Sequence, residues 1–116
     1  GSVGSSVVVA PNLTLVDVEN QDIDEAKIRI NNFVAGDEIS FTNANGITGS
    51  YDSAKGIMTL SGTASVSDYQ AALRTIEFDT TNSDTTDRSF SFTIGSAVPF
   101  SGNGHFYCKQ VLQLVW

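Results

Sequence analysis

Apolar and polar residues alternate with a period of two along most of this chain, the pattern of strands with one face buried. In "AKIRINNF", Ile28 and Ile30 fall on one side while Lys27, Arg29 and Asn31 fall on the other. "TIEFDTT" and "RSFSFTIG" alternate in the same way, the second with Phe90, Phe92 and Ile94 on one face, and polar "TNSDTTD" joins them. Shorter strands are expected at about Ile39 to Thr42, Ile47 to Tyr51 and Ile57 to Leu60. Their connectors hold Asn45-Gly46 and "DSAKG", where Gly supplies positive φ and Asn or Asp caps the turn, so both read as hairpins. Near the start, Ser6 to Ala10 is β-branched and ends at Pro11, which removes a backbone donor and places that strand at an edge or end. A second strand carries Leu13, Leu15 and Val18 around Thr14 and Val16.

Helical spacing occurs in "SVSDYQAALRTI", where Tyr69, Ala72, Leu73 and Ile76 recur on one face and Ser67 stands three residues before Gln70 as a capping pair. A helix of about two turns is expected near 67–74, because β-forming residues resume at Ile76. The closing "GHFYCKQVLQLVW" is long enough for a last strand running to Trp116 and pairing with Arg88 to Gly95. Many short strands, regularly spaced turns and one short helix predict an all-β fold. The expected architecture is an antiparallel β-sandwich of immunoglobulin or cadherin type with Greek-key connections.

Length changes little in this picture: 116 residues, 41% of them hydrophobic, suit one domain with its own core, preceded by a flexible leader over residues 1–5. Charge narrows the partners. Thirteen Asp and Glu against six Lys and Arg leave a formal charge of −7, which repels nucleic-acid phosphates and anionic lipid. The leading "GSVGSSVVVA" has neither the cationic start nor the apolar length of a signal peptide or spanning helix, so an export signal would lie outside this sequence. Cys108, the single cysteine, cannot form an internal disulfide and reads as a small apolar strand residue.

The order of segments resembles a bacterial cadherin-like repeat. In such repeats an "LTVSDVD"-like strand precedes "GDxLSF", "GITGSYN", "TGVLTLSGTAT", "YQAALRSV" and "DRTISFTV". Here Gly46 to Gly49, Leu60 to Thr63, Tyr69 to Arg74 and Arg88 to Thr93 match closely, and the resemblance covers roughly Leu13 to Gly95. It implies a non-catalytic module of a large secreted or surface-anchored bacterial protein, an extracellular spacer or adhesion unit. Its partners would be neighbouring domains of the same polypeptide, or a cell-surface protein or glycan.

It also implies calcium near the ends of the module. "LTLVDVENQDIDEAK" crowds Asp17, Glu19, Asp22, Asp24 and Glu25 into a few residues, and calcium takes about six to eight oxygen ligands from converging carboxylates. Asp17 and Glu19 fall on the family's Asp-x-Asp, with Glu in the second place. Asp87-Arg88 matches the first two residues of the cadherin Asp-Arg-Glu motif, with Ser89 in the third. The expected ligands are therefore Asp17, Glu19, Asp22, Asp24 and Asp87. The same cluster also reads as a solvated acidic loop that blunts a strand end. It is not an EF-hand, for it lacks the central Gly and the spaced final Glu.

Catalysis has little to stand on in this sequence. His105 is the single histidine, and Ser101 and Cys108 lie in no nucleophile motif. The rival function is carbohydrate binding, since β-sandwiches can present aromatic side chains to sugars. Tyr51, Tyr69, Tyr107 and Trp116 are the rings available, each equally suited to core packing. Residues 105–116 are expected to close the sandwich, the other possibility being the start of a following lectin-like domain, because "GHFY" is similar to the "GHYY" that can begin one.

Overall fold

Alternation in the sequence becomes alternation in burial. In the strand Ile23–Ile30, Ala26, Ile28 and Ile30 are buried while Lys27 and Arg29 are exposed. The computed structural model describes residues 5–17, 22–96, 106–108 and 112–115. In chain order these give β1 (Val7–Val8), β2 (Leu15–Asp17), β3 (Ile23–Ile30), β4 (Asp37–Ser40), β5 (Thr48–Asp52) and β6 (Ile57–Ala64). There follow α1 (Val66–Leu73), β7 (Glu77–Thr80), β8 (Arg88–Ser96), β9 (Phe106–Cys108) and β10 (Leu112–Val115).

Every pairing is antiparallel. One sheet has the order β10-β8-β3-β6-β5, a second β1-β7-β4, and β2 pairs with β9 alone. The two larger sheets share one core: Phe78 of β7 meets Phe90 of β8 edge to face, with centroids 5.5 Å apart, inside a cluster that includes Ile28, Ile39, Leu60 and Leu73. This is the expected all-β sandwich.

Directions within the sheets define two ends. Residues Asp37, Thr80 and Arg88 mark one end, because Asp37 pairs with Thr80 and is ion-paired to Arg88. Residues Ile23, Ala64 and Ser96 mark the other, where α1 follows β6 directly. β1 runs from the Arg88 end toward the helical end and β10 runs back, since Val7 pairs with Phe78 and Val115 with Arg88. The molecule measures 47 × 23 × 22 Å along its principal axes.

Several expected boundaries move, each for a visible reason. The first strand shrinks to Val7–Val8; Val9 and Ala10 are buried, and Leu13 N donates to Ala10 O across the turn made at Pro11. β4 starts two residues early because Asp37 shares the inward parity of Ile39. β6 extends to Ala64 because β3 remains beside it to Ile23. The helix begins earlier as well. Ser65, not Ser67, is the N-cap and accepts from Asp68 N at 3.0 Å, which turns Tyr69, Ala72 and Leu73 inward. The single closing strand expected over 105–116 is instead two: β10 pairs with β8 as expected, but β9 leaves that sheet to pair with β2.

Both expected hairpin turns form. Asn45 (φ 56°) and Gly46 (φ 77°) hold a two-residue turn closed by the Ala44–Ile47 bridge, the positive-φ pair that matches strand twist. At the other, Asp52 Oδ1 accepts from Ala54 N and Lys55 N. The Asn-Gly turn lies on β6 so closely that a Cβ at Gly62 (φ +124°) would stand 2.2 Å from Gly46 O. Gly62→Ala is therefore expected to cost about 2 kcal/mol or more, from backbone strain and the displaced turn together. A urea midpoint unchanged from that of the parent protein would refute this packing.

Candidate functional site

The described carboxylates among the expected calcium ligands lie at both ends of the sandwich. Asp22 and Asp24 are exposed at the helical end. Asp24 sits at a bulge where β3 shifts register against both β6 and β8, so Asp24 and Glu25 both face outward in succession. Asp87 lies at the Arg88 end, where its carbonyl accepts from Asn32 Nδ2 at 2.9 Å. At about 3.3 Å per residue, the length of β3 puts roughly 20 Å between Asp24 and Asp87. These two cannot share an ion. Asp17 takes its place in β2 opposite Phe106, but its side chain and Glu19 lie outside the described residues. Among the described residues, no three His, Cys, Asp or Glu side chains converge as a metal site would require.

The charges that do converge are Asp37 and Arg88, which the sequence reading left out of its site. Asp37 Oδ2 accepts from Arg88 Nε at 2.8 Å, and Oδ1 from Arg88 Nη2 at 3.0 Å, in a bidentate pair. Both residues are buried, at 2% and 0% exposure. Further groups of the pair are engaged too: Asp37 Oδ2 also accepts from Val34 N, and the guanidinium donates to the carbonyls of Asp84 and Thr86. The Asp37 hydrogen bonds hold Arg88 still more firmly protonated than a free arginine. Its guanidinium carbon lies 5.8 Å from the centre of the Phe78 ring. This is a structural centre, closed to solvent. The signal was present in the alternation: Asp37 keeps step with Ile39, and Arg88 with Phe90 and Phe92, so each sheet carries one charge at an inward position.

Polar side chains at the helical end also serve the fold. Gln70 Oε1 accepts from Leu15 N at 3.0 Å, and Arg74 Nε donates to Leu13 O at 2.7 Å, so α1 fastens the segment leading into β2. The tyrosines follow the same rule. Tyr69 is 0% exposed and donates to Gly62 O at 2.5 Å; Tyr51 is half-buried and donates to Asp37 O at 2.6 Å. Tyr69 therefore offers no ring face to a sugar. The side chain of Tyr107, along with Trp116 and His105, lies outside the described residues.

An open groove of about 420 Å³ lies at the helical end. Its walls are the Ser40–Asn45 connection on one side and the exposed side of α1, with Ala71 and Thr75, on the other; Glu77 closes one border. Phe41, half-buried, abuts Gly49, where an added Cβ would stand 3.0 Å from its ring.

Comparison with known proteins returns no match: no protein-family model fits the chain, and no curated protein or solved structure is similar to it.

Two outcomes test the site chemistry described above. Arg88→Met strands a buried carboxylate and should cost about 3–5 kcal/mol, whereas adding Asp37→Leu should recover much of that loss. Additive losses in urea denaturation would show that the pair is not one unit. Burial first, then the nearby carboxylates (Asp37, Glu38 and Asp52 for Tyr51; Asp24 and Glu25 for Tyr69) push both phenols up from the usual 10.0 to about 12. Because the folded-state value is the higher, their contribution to stability is whole below pH 10 and is lost as pH rises toward 12. Phenolate absorbance from two tyrosines should thus appear late, and Tyr69→Phe should remove one late transition. Every tyrosine ionising near pH 10 in a still-folded protein would contradict this.

Proposed function

We propose that this chain is a non-catalytic, cadherin-like adhesion or spacer module of a larger secreted or surface-anchored bacterial protein, acting outside the cell. The observation that carries the proposal is how the polar chemistry is used. The buried pair, Gln70, Arg74 and both described tyrosines all bind the protein's own backbone or one another, as suits a rigid scaffold. The sandwich fold and the segment order that resembles cadherin-like repeats support the same reading. Among the described residues no helix is long and apolar enough to cross a membrane.

Calcium is the second element of the proposal, and it rests on the resemblance. Its ligands would come from Asp17, Glu19, Asp22 and Asp24, of which Asp22 and Asp24 lie at the helical end; Asp87, at the opposite end from those two, takes no part.

Beads coated with the protein are expected to be retained on cell layers above beads coated with an unrelated sandwich domain, and equal retention would sink the adhesion reading. For calcium, the thermal midpoint should rise by several degrees between EGTA and millimolar calcium, as a ligand bound only by the folded state requires. Asp17→Asn should abolish that rise and Asp87→Asn should leave it unchanged. A midpoint that ignores calcium removes the ion from the proposal.

A further inference from the structure

The groove between α1 and the Ser40–Asn45 connection gathers polar groups around one aromatic ring. Hydroxyls of Ser40 and Thr42, the amide of Asn45 and the carboxylate of Glu77 line it, and no hydrogen bond among the described residues occupies any of those side chains. Phe41 gives the groove an aromatic wall, and Ala71 keeps the helical wall low. No cation lines it and Glu77 is the sole ionisable residue, so phosphate, sulfate and carboxylate ligands are excluded by charge. A lipid or apolar peptide would find alanines and one half-buried ring, too little apolar surface to hold it.

We propose that this groove binds an uncharged saccharide of one or two rings, with its apolar C–H face against Phe41 and its hydroxyls on Ser40, Thr42, Asn45 and Glu77. Each sugar hydroxyl donates and accepts, and so do the serine, threonine and asparagine groups, while a carboxylate accepts from two hydroxyls at once. A volume of about 420 Å³ lies toward the small end of the range for ligand pockets and suits one or two sugar rings. The walls are already built. Asn45 is fixed in its closed turn at φ 56°, Phe41 is braced on Gly49, and Ala71 sits on a capped helix, so binding orders few groups.

This inference rests on the adhesion reading for the source of the sugar, a cell-surface glycan, but not for the fit. It also differs from the ring-based expectation, since neither Tyr51 nor Tyr69 takes part.

Titration of the isotope-labelled protein with glucose, galactose, mannose and N-acetylglucosamine, followed by amide resonances, tests it directly. At least one sugar is expected to shift Thr42, Asn45, Ala71 and Glu77 saturably at millimolar concentration. Ala71→Leu, which fills the groove with a good helix former, should weaken binding at least tenfold while leaving the thermal midpoint in place. Glu77→Gln should weaken it severalfold. Silence from every sugar, shifts that survive Ala71→Leu, or a response to putrescine with none to sugars would each overturn the proposal. The titration judges the groove and bead retention judges adhesion, so either can fail without the other.

Discussion

The bidentate bond between Asp37 and Arg88 is the constraint around which this sandwich is arranged. It joins the inward face of β4 to the inward face of β8, one residue from each sheet, where two apolar side chains would otherwise meet. Removing two charges from water is costly, and their attraction offsets that cost only if every donor and lone pair is satisfied. That condition explains the surroundings. The turn before β4 supplies Val34 N, the loop before β8 bends so that the Asp84 and Thr86 carbonyls accept from the guanidinium, and Phe78 lies against the cation. The loop also has its own order, with Asp84 accepting from Thr86 N; the Thr86 side chain first, and then this backbone bond, lower the Asp84 pKa. Tyr51 extends the network to β5 through the Asp37 carbonyl. One ion pair thus fixes two loops, two sheets and an edge strand.

The opposite end is fixed by different means. There α1 lays Tyr69, Ala72 and Leu73 into the core, and its polar side chains take the place of strand partners for the segment before β2. A buried backbone group without a partner costs as much as a lost hydrogen bond, so Gln70 and Arg74 are as structural as the leucines beside them. The helix serves both core and groove: Tyr69 and Leu73 close the core, while Ala71 and Ala72, with Thr75 just past its end, wall the groove.

Periodicity was enough to read β3, β7 and β8, because Ile28 and Ile30, Phe78, and Phe90 and Phe92 fix the inward parity of each. Turn chemistry was equally plain at Asn45-Gly46 and at Asp52 to Gly56. What escaped was anything that depends on a distant partner. Asp37 and Arg88 lie 51 positions apart, and only their shared parity with Ile39 and Phe90 hinted at burial. The Gly-Asp and Asp-Arg pairs were quoted for their likeness to repeat motifs, yet the likeness drew attention to Asp87, which is exposed, and away from Arg88, which is not. Proximity in sequence misled in the same way for the acidic cluster: a bulge at Asp24 and the length of β3 decide which carboxylates meet. The groove was illegible because its walls come from the chain on either side of β5 and β6, and nothing local marks Phe41 or Ala71 as neighbours.

The placement of these features along the molecule ties the groove to the ion pair. β4 runs from Asp37 at the ion-paired end to Ser40 at the groove, and β7 runs from Glu77 at the groove back to Thr80 beside Asp37. The groove is therefore carried on strands whose far ends are locked by the ion pair. It can remain open without loosening the core. β1 starts at the locked end and β10 finishes there, so both strands meet the end where the sheets are tied together by charge, and the groove lies at the other.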